Sequence, residues 1–310
     1  MTTAENHPVT GLYHVPALLK EGIAGLNIKP NGVYVDVTFG GGGHSRAILD
    51  KLTTGRLIAL DQDADAFANR PDDKRLVVEQ GNFRYLCHFL AHHGIRQIDG
   101  ILADLGVSSH HFDTPERGFT FRDDAPLDMR MNTCSRITAS TVLNQYPESR
   151  LQFIFSHYGE IPNANRLVQQ IAKARQAQPV ERSHQLLEVM KPCMSKGTEN
   201  KYAAKVFQAL RIEVNSELES LKSLLTQSVN LLSAGGRLAI ITYHSLEDRL
   251  VKNFLKNGMF EGTADKDIYG NIRTPFKQVN TKVIIPEEEE ILANSRARSA
   301  KLRVGERIAF

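Results

Sequence analysis

A run of four glycines behind a short strand pattern constrains this chain more than any other segment. Residues 33–37 alternate as a strand does, glycines fill 40–43, and His44 and Ser45 open a segment with helical periodicity. A strand, a glycine turn and a helix N-terminus form the unit with which α/β proteins bind nucleotides. Glycine is needed where a ligand contacts backbone that a Cβ would block. The segment therefore predicts a nucleotide-type site.

Strand and helix patterns alternate through the first third of the chain. Further strands are predicted at residues 56–61, 75–79 and 98–105, and helices at 44–52, 63–69 and 83–93. Nearly continuous apolar strands between helices are typical of a parallel sheet that is covered on both faces. We therefore predict an α/β fold with a mostly parallel, doubly wound sheet.

The alternation stops at Gly106. Residues 107–210 show helical periodicity, as at 165–176, but no core strand. A helix at 215–232 that ends at the glycines of 234–236 is then predicted, followed by a fifth strand at 237–242. We predict an α/β domain formed by residues 1–106 and 211–310, with residues 107–210 as a helical insertion for substrate recognition.

The last fifty residues contain two further patterns. Residues 260–280 are rich in Gly, Asp, Asn, Thr and Lys and predict an exposed loop. Pro286 precedes four glutamates at 287–290. Proline in a first helical turn and acids near a helix N-terminus are both favourable, so this run predicts the start of a helix.

Composition restricts the class of protein. No apolar run approaches the ~20 residues that cross a bilayer, and residues 1–8 lack a secretory pattern, so we expect a cytoplasmic protein. Three scattered cysteines (Cys87, Cys134 and Cys193) argue against a disulfide framework and a thiolate zinc site. The histidine pairs 92–93 and 110–111 lack the spacing of a zinc helix, so no metal is expected.

Three ligands compete for the glycine loop. A phosphate loop needs a lysine after the glycines, and none follows. A dinucleotide loop needs a third glycine where Ser45 or Arg46 stands. S-adenosylmethionine, which has no phosphate, needs polar groups near the loop and an acid beyond the second strand for the ribose hydroxyls. Asp36, His44 and Asp61 meet these demands.

A purely structural role is an alternative for Asp61, Phe83 and Asp104. Asp61 could cap the helix at 63–69, and residues 81–83 could form a turn that places Phe83 in the core. Asp104, at the end of strand four, could cap the next segment, but a carboxylate in an apolar strip is costly unless it is paired or faces a cleft. Their joint position at successive strand ends favours a ligand crevice. Methyltransferases that act on amino groups often place an acid or amide at the position of Asp104.

Longer motifs indicate a family. They occupy residues 14–21, 36–45, 99–109, 117–121, 126–131, 207–218, 244–249 and 296–303. From residue 14 to the C-terminus the chain resembles the ribosomal RNA small subunit methyltransferase H (MraW) family. The resemblance implies a Rossmann-like class I methyltransferase that transfers a methyl group from S-adenosylmethionine to N4 of a cytidine in the decoding region of bacterial 16S ribosomal RNA.

The resemblance also implies site residues. Cofactor contacts are expected at Gly42, Gly43, His44, Asp61, Phe83, Asp104 and His111. His111 stands where relatives often have glutamine, Tyr243 where phenylalanine is common, and Ala17 where valine is common. We expect Asp104 to position the substrate amine by accepting one of its hydrogens.

The substrate cytidine must leave its stack to reach the methyl group. Basic and aromatic residues beside the expected cleft are candidates for RNA contact: Arg117, Phe119, Arg130, Arg211, His244, Arg249 and Arg298. The C-terminal segment 296–303 has four positive charges and no acid, which suits phosphate contact with steep salt dependence. A methyltransferase for another RNA or amine substrate, and a non-catalytic RNA-binding module, remain alternatives.

Overall fold

The structure, a computed structural model, describes residues 16–262 and 274–309. Seven strands of this part of the chain form one sheet with the order β3-β2-β1-β4-β5-β7-β6. They are β1 Val33–Asp36, β2 Arg56–Asp61, β3 Leu76–Gln80, β4 Ile98–Asp104, β5 Leu232–Thr242, β6 Phe276–Gln278 and β7 Lys301–Arg307. Strands β1 to β5 pair in parallel, and β7 is antiparallel to both β5 and β6. The predicted mostly parallel sheet is confirmed.

Helices cover both faces of this sheet. Those in the first part of the chain are α1 Leu19–Leu26, α2 Gly43–Leu49 and α3 Leu86–His92. Between β4 and β5 lie α4 Ser109–Asp113, α5 Ala139–Gln145, α6 Glu148–Phe153, α7 Ala164–Ala177, α8 Ser183–Met190, α9 Glu199–Asn215 and α10 Glu217–Leu231. The last two are α11 Ser245–Asn257 and α12 Glu288–Ala293. Shorter 3₁₀ segments are Ala64–Asn69, Phe83–Tyr85, Pro115–Arg117, Lys191–Cys193 and Ser295–Ser299, and Ile154–Tyr158 is π-helical.

Successive residues of the central strands enter two different cores, as the two-residue period of a strand requires. Val35 and Ile58 pack in a cluster with Leu224 of α10, whereas Tyr34 and Leu57 pack in the cluster on the other face. A third cluster fills the helical region between β4 and β5. The sheet is therefore doubly wound, and the helices of this region have a core of their own.

The predicted boundary between residues 210 and 211 lies inside α9, which continues to Asn215. Asn215 ties this helix end to the start of the helical region: its Nδ2 donates to Met129 O at 2.8 Å, and its Oδ1 accepts from Met131 N at 2.8 Å. The division of the chain into two domains stays a prediction.

Three local predictions differ from the structure. The helix before β5 ends at Leu231, and the glycines expected to end it lie inside β5. Gly235 has a φ of +78°, and the pairing of β5 with β4 shifts between Ile98 and Gly100, so an irregularity in the strand accommodates this glycine. Strand β6 lies within the predicted loop at 260–280, of which residues 263–273 are outside the described part.

The third difference concerns the basic segment 296–303, for which no strand was predicted: its last three residues begin β7, next to the edge strand of the sheet. In β7, Leu302 and Val304 are buried against the sheet. The predicted helix start at the glutamate run is confirmed, because α12 begins at Glu288 with Glu287 as its N-cap. No helix of the described residues is long and apolar enough to span a membrane.

Candidate active site

The carboxyl ends of β1 to β4 open onto a cavity of about 830 Å³. Open parallel sheets bind ligands at this edge. Six of the seven expected cofactor residues line its wall: Gly43, His44, Asp61, Phe83, Asp104 and His111. Side chains predicted from separate strand ends therefore share one cavity.

The seventh, Gly42, does not line the cavity, and the backbone conformation of the loop explains why a glycine stands there. Its φ is +75°, and a Cβ there would lie 3.1 Å from the Phe39 ring. A Cβ on Gly43 would lie 2.3 Å from Cγ of Pro16, which packs against the loop. These two glycines are thus needed by the loop itself, in addition to any ligand.

Asp61 fixes the glycine loop. Its Oδ2 accepts from Gly40 N at 2.7 Å and its Oδ1 from Asp63 N at 2.9 Å. The following 3₁₀ segment is capped by Asp63, which accepts from Asp65 N at 3.1 Å, so Asp61 is not its cap. Burial raises the pKa of Asp61. Each carboxylate oxygen has a second lone pair, and the residue lines the cavity, so a hydroxyl-bearing ligand can still bind it.

Asp36 lies behind the cavity wall and is fully buried. It accepts from Ser45 Oγ at 2.7 Å and from Thr38 N at 3.1 Å, and burial raises its pKa to about 6. The side chain joins β1 to the first turn of α2. Its role is to hold the loop, and this differs from the ligand contact expected from the sequence.

His44 is a neutral neighbour of Asp104. The imidazole is 4% exposed, and its Nδ1 lies 3.7 Å from Asp104 Oδ2. Burial lowers the pKa of His44 to about 4, so the ring carries no charge near pH 7. Its Nε2 is buried without a hydrogen bond among the described residues.

Asp104 is the titratable group best placed for chemistry. The Tyr243 hydroxyl donates to its Oδ1 at 2.8 Å, and its backbone N donates to Thr38 Oγ1 at 2.7 Å. Burial raises the pKa of Asp104 to about 7; the hydrogen bond from Tyr243 opposes this rise, and the charges of Asp36 and Glu247 add to it. Its Oδ2 makes no hydrogen bond within the described residues, which leaves one acceptor at the cavity.

His111 and Arg117 both bind the carboxylate of Asp63, two residues after Asp61. Ser108 N donates to Nδ1 of His111 at 3.2 Å, so the ring proton is on Nε2, which lies 2.6 Å from Asp63 Oδ2. Arg117 Nη2 lies 2.9 Å from the same oxygen. Burial alone would raise the pKa of Asp63, but these two partners outweigh it and lower the pKa to about 2.

Most candidate RNA contacts are engaged within the protein. Phe119 is buried against His111 with ring centroids 4.7 Å apart, and Arg130 pairs with Asp128. Exposed Arg249 pairs with Glu160, and Arg298 is exposed in its 3₁₀ segment. The remaining three are Arg117 on Asp63, His244 beside Glu247, and Arg211, which is the member of this set that lines the cavity.

The basic C-terminal segment is also less free than its sequence indicated. Arg303 is 9% exposed and donates to Asp248 at 2.7 Å. Arg296 pairs with Asp113 and lines the cavity mouth near the ring of Phe112. The acids that partner these arginines come from distant positions in the chain, so the segment is less available for phosphate contact than its own charges indicate.

Several cavity residues were not expected from the sequence. They are Gln62, Asn69, Asn82, Asn215, Glu217, Ser220, Tyr243, Glu247, Asn294 and Arg296. Gln62 is the first residue after β2 and Asn82 the second after β3, which is a signal that could have found them. Glu217 and Glu247 lie within the family motifs, but each occupies the first turn of a helix, where an acid needs no further explanation.

The charge of the wall restricts the ligand. Six carboxylates line the cavity: Asp61, Asp63, Asp65, Asp104, Glu217 and Glu247. The two arginines of the wall, Arg211 and Arg296, are both ion-paired, and no lysine of the described residues lines it. Arg117 and Arg211 offset part of the charge of Asp63, Asp65 and Glu217, whereas Asp61, Asp104 and Glu247 have no arginine partner among the described residues. The wall therefore disfavours a diphosphate and favours a ligand with positive charge and hydroxyl groups.

Donor atoms of Glu217, His244 and Glu247 lie within 4.8 Å of one another, the one described group that could hold a metal ion. Arg211 already binds Glu217 through two hydrogen bonds of 2.8 and 2.9 Å. Its positive charge neutralises one of the two acids and opposes a cation there.

Comparison with known proteins places the chain in a family. The model of the MraW methylase family matches residues 11–308. A ribosomal RNA small subunit methyltransferase H of Bacteroides fragilis is 56% identical over 296 residues, which cover 95% of this chain and 97% of that protein. The protein of the same name from Cytophaga hutchinsonii is 55% identical over 298 residues, covering 96% and 100%.

Among solved structures, an rRNA methylase from Streptococcus thermophilus covers 99% of this chain and 100% of that chain at 10% identity, with a TM-score of 0.42. At that score the likeness adds nothing to the assignment, which depends on the family model and on close relatives that match nearly end to end. The chain belongs to the MraW methylase family.

Proposed function

We propose that this protein transfers a methyl group from S-adenosylmethionine to N4 of a cytidine in the decoding region of bacterial 16S ribosomal RNA. The names of its close relatives support ribosomal RNA of the small subunit as the substrate. The main support for an amine as the methyl acceptor is the position of Asp104. Its carboxyl lines the cavity, and one of its oxygens makes no hydrogen bond within the described residues.

The cavity suits S-adenosylmethionine as the methyl donor. This cofactor has a positive sulfonium, an ammonium and one carboxylate but no phosphate, so its net positive charge suits a wall lined by acids. Asp61 would accept from the ribose hydroxyls, and Phe83 and His111 lie on the wall nearby. When bound, the cofactor supplies an electrophilic methyl group on sulfur.

Asp104 would act on the substrate amine. The lone pair of the cytosine N4 amine is conjugated with the ring, so the amine is a weak nucleophile. A carboxylate that accepts one amine hydrogen orients the nitrogen and increases its electron density. Orientation of this kind accounts for up to roughly 7–11 kcal/mol in well-held intramolecular models. The proton lost after transfer can pass to water or to Asp104 itself.

RNA contact would use groups around the cavity mouth. Arg211 lies in the wall, while Arg249 and Arg298 are exposed and can meet phosphates. Arg117, Phe119, Arg130 and His244 would act mainly by holding the structure behind that surface. Because the proposed substrate is part of the ribosome, the protein would act in the cytoplasm.

The decisive experiment uses small ribosomal subunits from a strain that lacks this protein. We expect labelled methyl from S-adenosylmethionine to enter one decoding-region cytidine, and mass spectrometry of the digested RNA to find N4-methylcytidine. Asp104→Asn should slow transfer while cofactor affinity stays within a few-fold. RNA binding without methyl incorporation would indicate a non-catalytic RNA-binding module, and a methyl group on another nucleotide or amine would refute the stated substrate.

A further inference from the structure

The cavity continues beyond the cofactor residues to a second wall, formed by the end of α9 and the first turns of α10 and α11. Its members are Arg211, Asn215, Glu217, Ser220 and Glu247. Polar side chains dominate this wall, although it lies between two hydrophobic cores. Buried polar and charged groups are costly unless they are paired or meet a ligand. The pairing of these groups within the protein therefore decides which polar atom is left for a ligand.

Arg211 is held rigidly in this wall. Its Nε donates to Glu217 Oε1 at 2.8 Å, and its Nη2 donates to Oε2 at 2.9 Å. This fork-to-fork pairing fixes the plane of the guanidinium. The two side chains are 15% and 9% exposed. Because Asn215 ties the end of α9 to Met129 and Met131, the backbone below Arg211 is fixed as well.

The third nitrogen of this guanidinium is free for a ligand. Nη1 of Arg211 makes no hydrogen bond within the described part of the chain, yet it is not among the buried polar atoms that lack partners. It is therefore accessible, and the open space that Arg211 borders is the cavity. The second wall thus presents a pre-oriented donor with a permanent positive charge.

Asp104 presents the opposite chemistry in the same cavity. Its free oxygen is an acceptor, and the Tyr243 hydroxyl occupies the other. A planar base with an amine next to a ring nitrogen or carbonyl can donate to Asp104 and accept from Arg211 with the same edge. The edge of cytosine has this arrangement, with N4 as the donor and N3 and O2 as acceptors, and adenine shares it with N6 and N1. Uracil would present a carbonyl oxygen to Asp104 instead.

We propose that Arg211, oriented by Glu217, reads the acceptor edge of the substrate cytosine while Asp104 holds its amine. This inference rests on the proposed function and adds a group that helps to distinguish cytosine from uracil. Glu217 is then a positioning residue, since it acts through Arg211. This role of Arg211 differs from a phosphate contact, because the base would lie inside the cavity and Glu217 fixes the orientation of the guanidinium.

The test compares Arg211→Lys and Glu217→Gln with a matched control. Arg150 forms the same kind of pair with Glu213, at 2.8 to 3.2 Å, but neither residue lines the cavity. Arg150→Lys should therefore leave methyl transfer unchanged. For Arg211→Lys we expect kcat/KM for small ribosomal subunits to fall by about 10- to 100-fold, the effect of losing a hydrogen bond from a charged donor. Glu217→Gln should produce a smaller loss in the same direction.

Binding measurements separate base reading from other roles. Calorimetry with S-adenosylmethionine should give wild-type affinity for both variants; a weaker affinity would assign Arg211 to the cofactor and overturn the inference. The slope of log Kd for subunits against log salt concentration should also stay unchanged. A slope reduced by about 1 would show that Arg211 contacts a phosphate, which contradicts base reading.

The outcomes distinguish this inference from the proposed function. If the wild-type protein methylates no cytidine N4, the proposed function fails and the base cannot be cytosine. If the wild-type protein does so and Arg211→Lys is equally fast, only the inference fails. Circular dichroism and thermal unfolding of both variants, compared with Arg150→Lys, show whether a slow variant is folded, and Glu217→Gln provides the second route to the same result.

Discussion

Tyr243→Phe offers the sharpest test of how Asp104 works, because it removes one oxygen atom and one hydrogen bond. The Tyr243 hydroxyl donates to Asp104 Oδ1 at 2.8 Å and so stabilises the charged carboxylate. Burial raises the pKa of Tyr243 above its ordinary value, so the hydroxyl stays protonated across the assay range. Phenylalanine keeps the ring beside Gly106, where an added Cβ would lie only 3.3 Å from Cδ2 of Tyr243.

The size of the effect follows from the strength of that bond. A hydrogen bond to a charged group is worth about 1.5–3 kcal/mol, and one pKa unit corresponds to about 1.4 kcal/mol. Losing the bond should raise the pKa of Asp104 from about 7 to between roughly 8 and 9. At pH 7.5 the carboxylate population, and with it the rate, should then fall by about 3- to 25-fold.

The assay is kcat/KM for methyl transfer to small ribosomal subunits, measured from pH 6 to 10. We expect the acid limb of the profile to move to higher pH in Tyr243→Phe, and the two proteins to converge near the alkaline end. Tyr85→Phe is the control, because Tyr85 is 52% exposed on the surface and, unlike Phe83 in the same 3₁₀ segment, does not line the cavity. A rate ratio that is constant with pH would refute the idea that Tyr243 tunes Asp104.

Three further outcomes are expected. Asp61→Ala should weaken S-adenosylmethionine binding by about 10- to 100-fold in calorimetry, because the ribose hydroxyls lose a charged acceptor; unchanged affinity would refute that role. His111→Gln should keep wild-type affinity, since glutamine can also donate to Asp63 and accept from Ser108 N, whereas His111→Leu should weaken it. Asp63→Asn should lower the free energy of unfolding by about 2 kcal/mol at pH 7, because the pKa of Asp63 is held near 2. That difference should shrink as pH falls from about 4 to 2, and equal denaturant curves at pH 7 would contradict it.

The sheet, and the part of the cavity wall at the strand ends, could be predicted from the sequence because both depend on local patterns. Strand ends can be located from apolar periodicity, and the carboxyl ends of parallel strands meet at one edge, so Asp61, Phe83 and Asp104 could be placed together from the sequence alone. Asp36 shows the limit of this reasoning, since its position beside the loop did not reveal that its side chain turns inward to Ser45.

The second wall of the cavity could not be predicted in the same way. Glu217 and Glu247 look like ordinary first-turn acids, and only the packing of α10 and α11 brings them together with Arg211. Strand β7 was missed for a related reason. Its arginines resemble a solvated tail until Asp248, fifty-five residues earlier in the chain, is placed opposite Arg303. Pairings that depend on distant acids leave no local signal.

The acids of the cavity wall also affect the electrostatic energy of the proposed reaction. A bound S-adenosylmethionine would place a positive sulfonium beside the wall and its product a neutral thioether, so the wall would lose one favourable charge interaction when product forms. At an effective dielectric constant near 20, a pair of charges 4 Å apart interacts by about 4 kcal/mol, and greater distances and water reduce this value. Asp104 opposes part of that loss if it takes the proton from the methylated amine, because a neutral Asp104 removes one uncompensated negative charge from the wall. Its pKa of about 7 makes both states accessible at neutral pH, so charge balance in the cavity can be restored after each transfer.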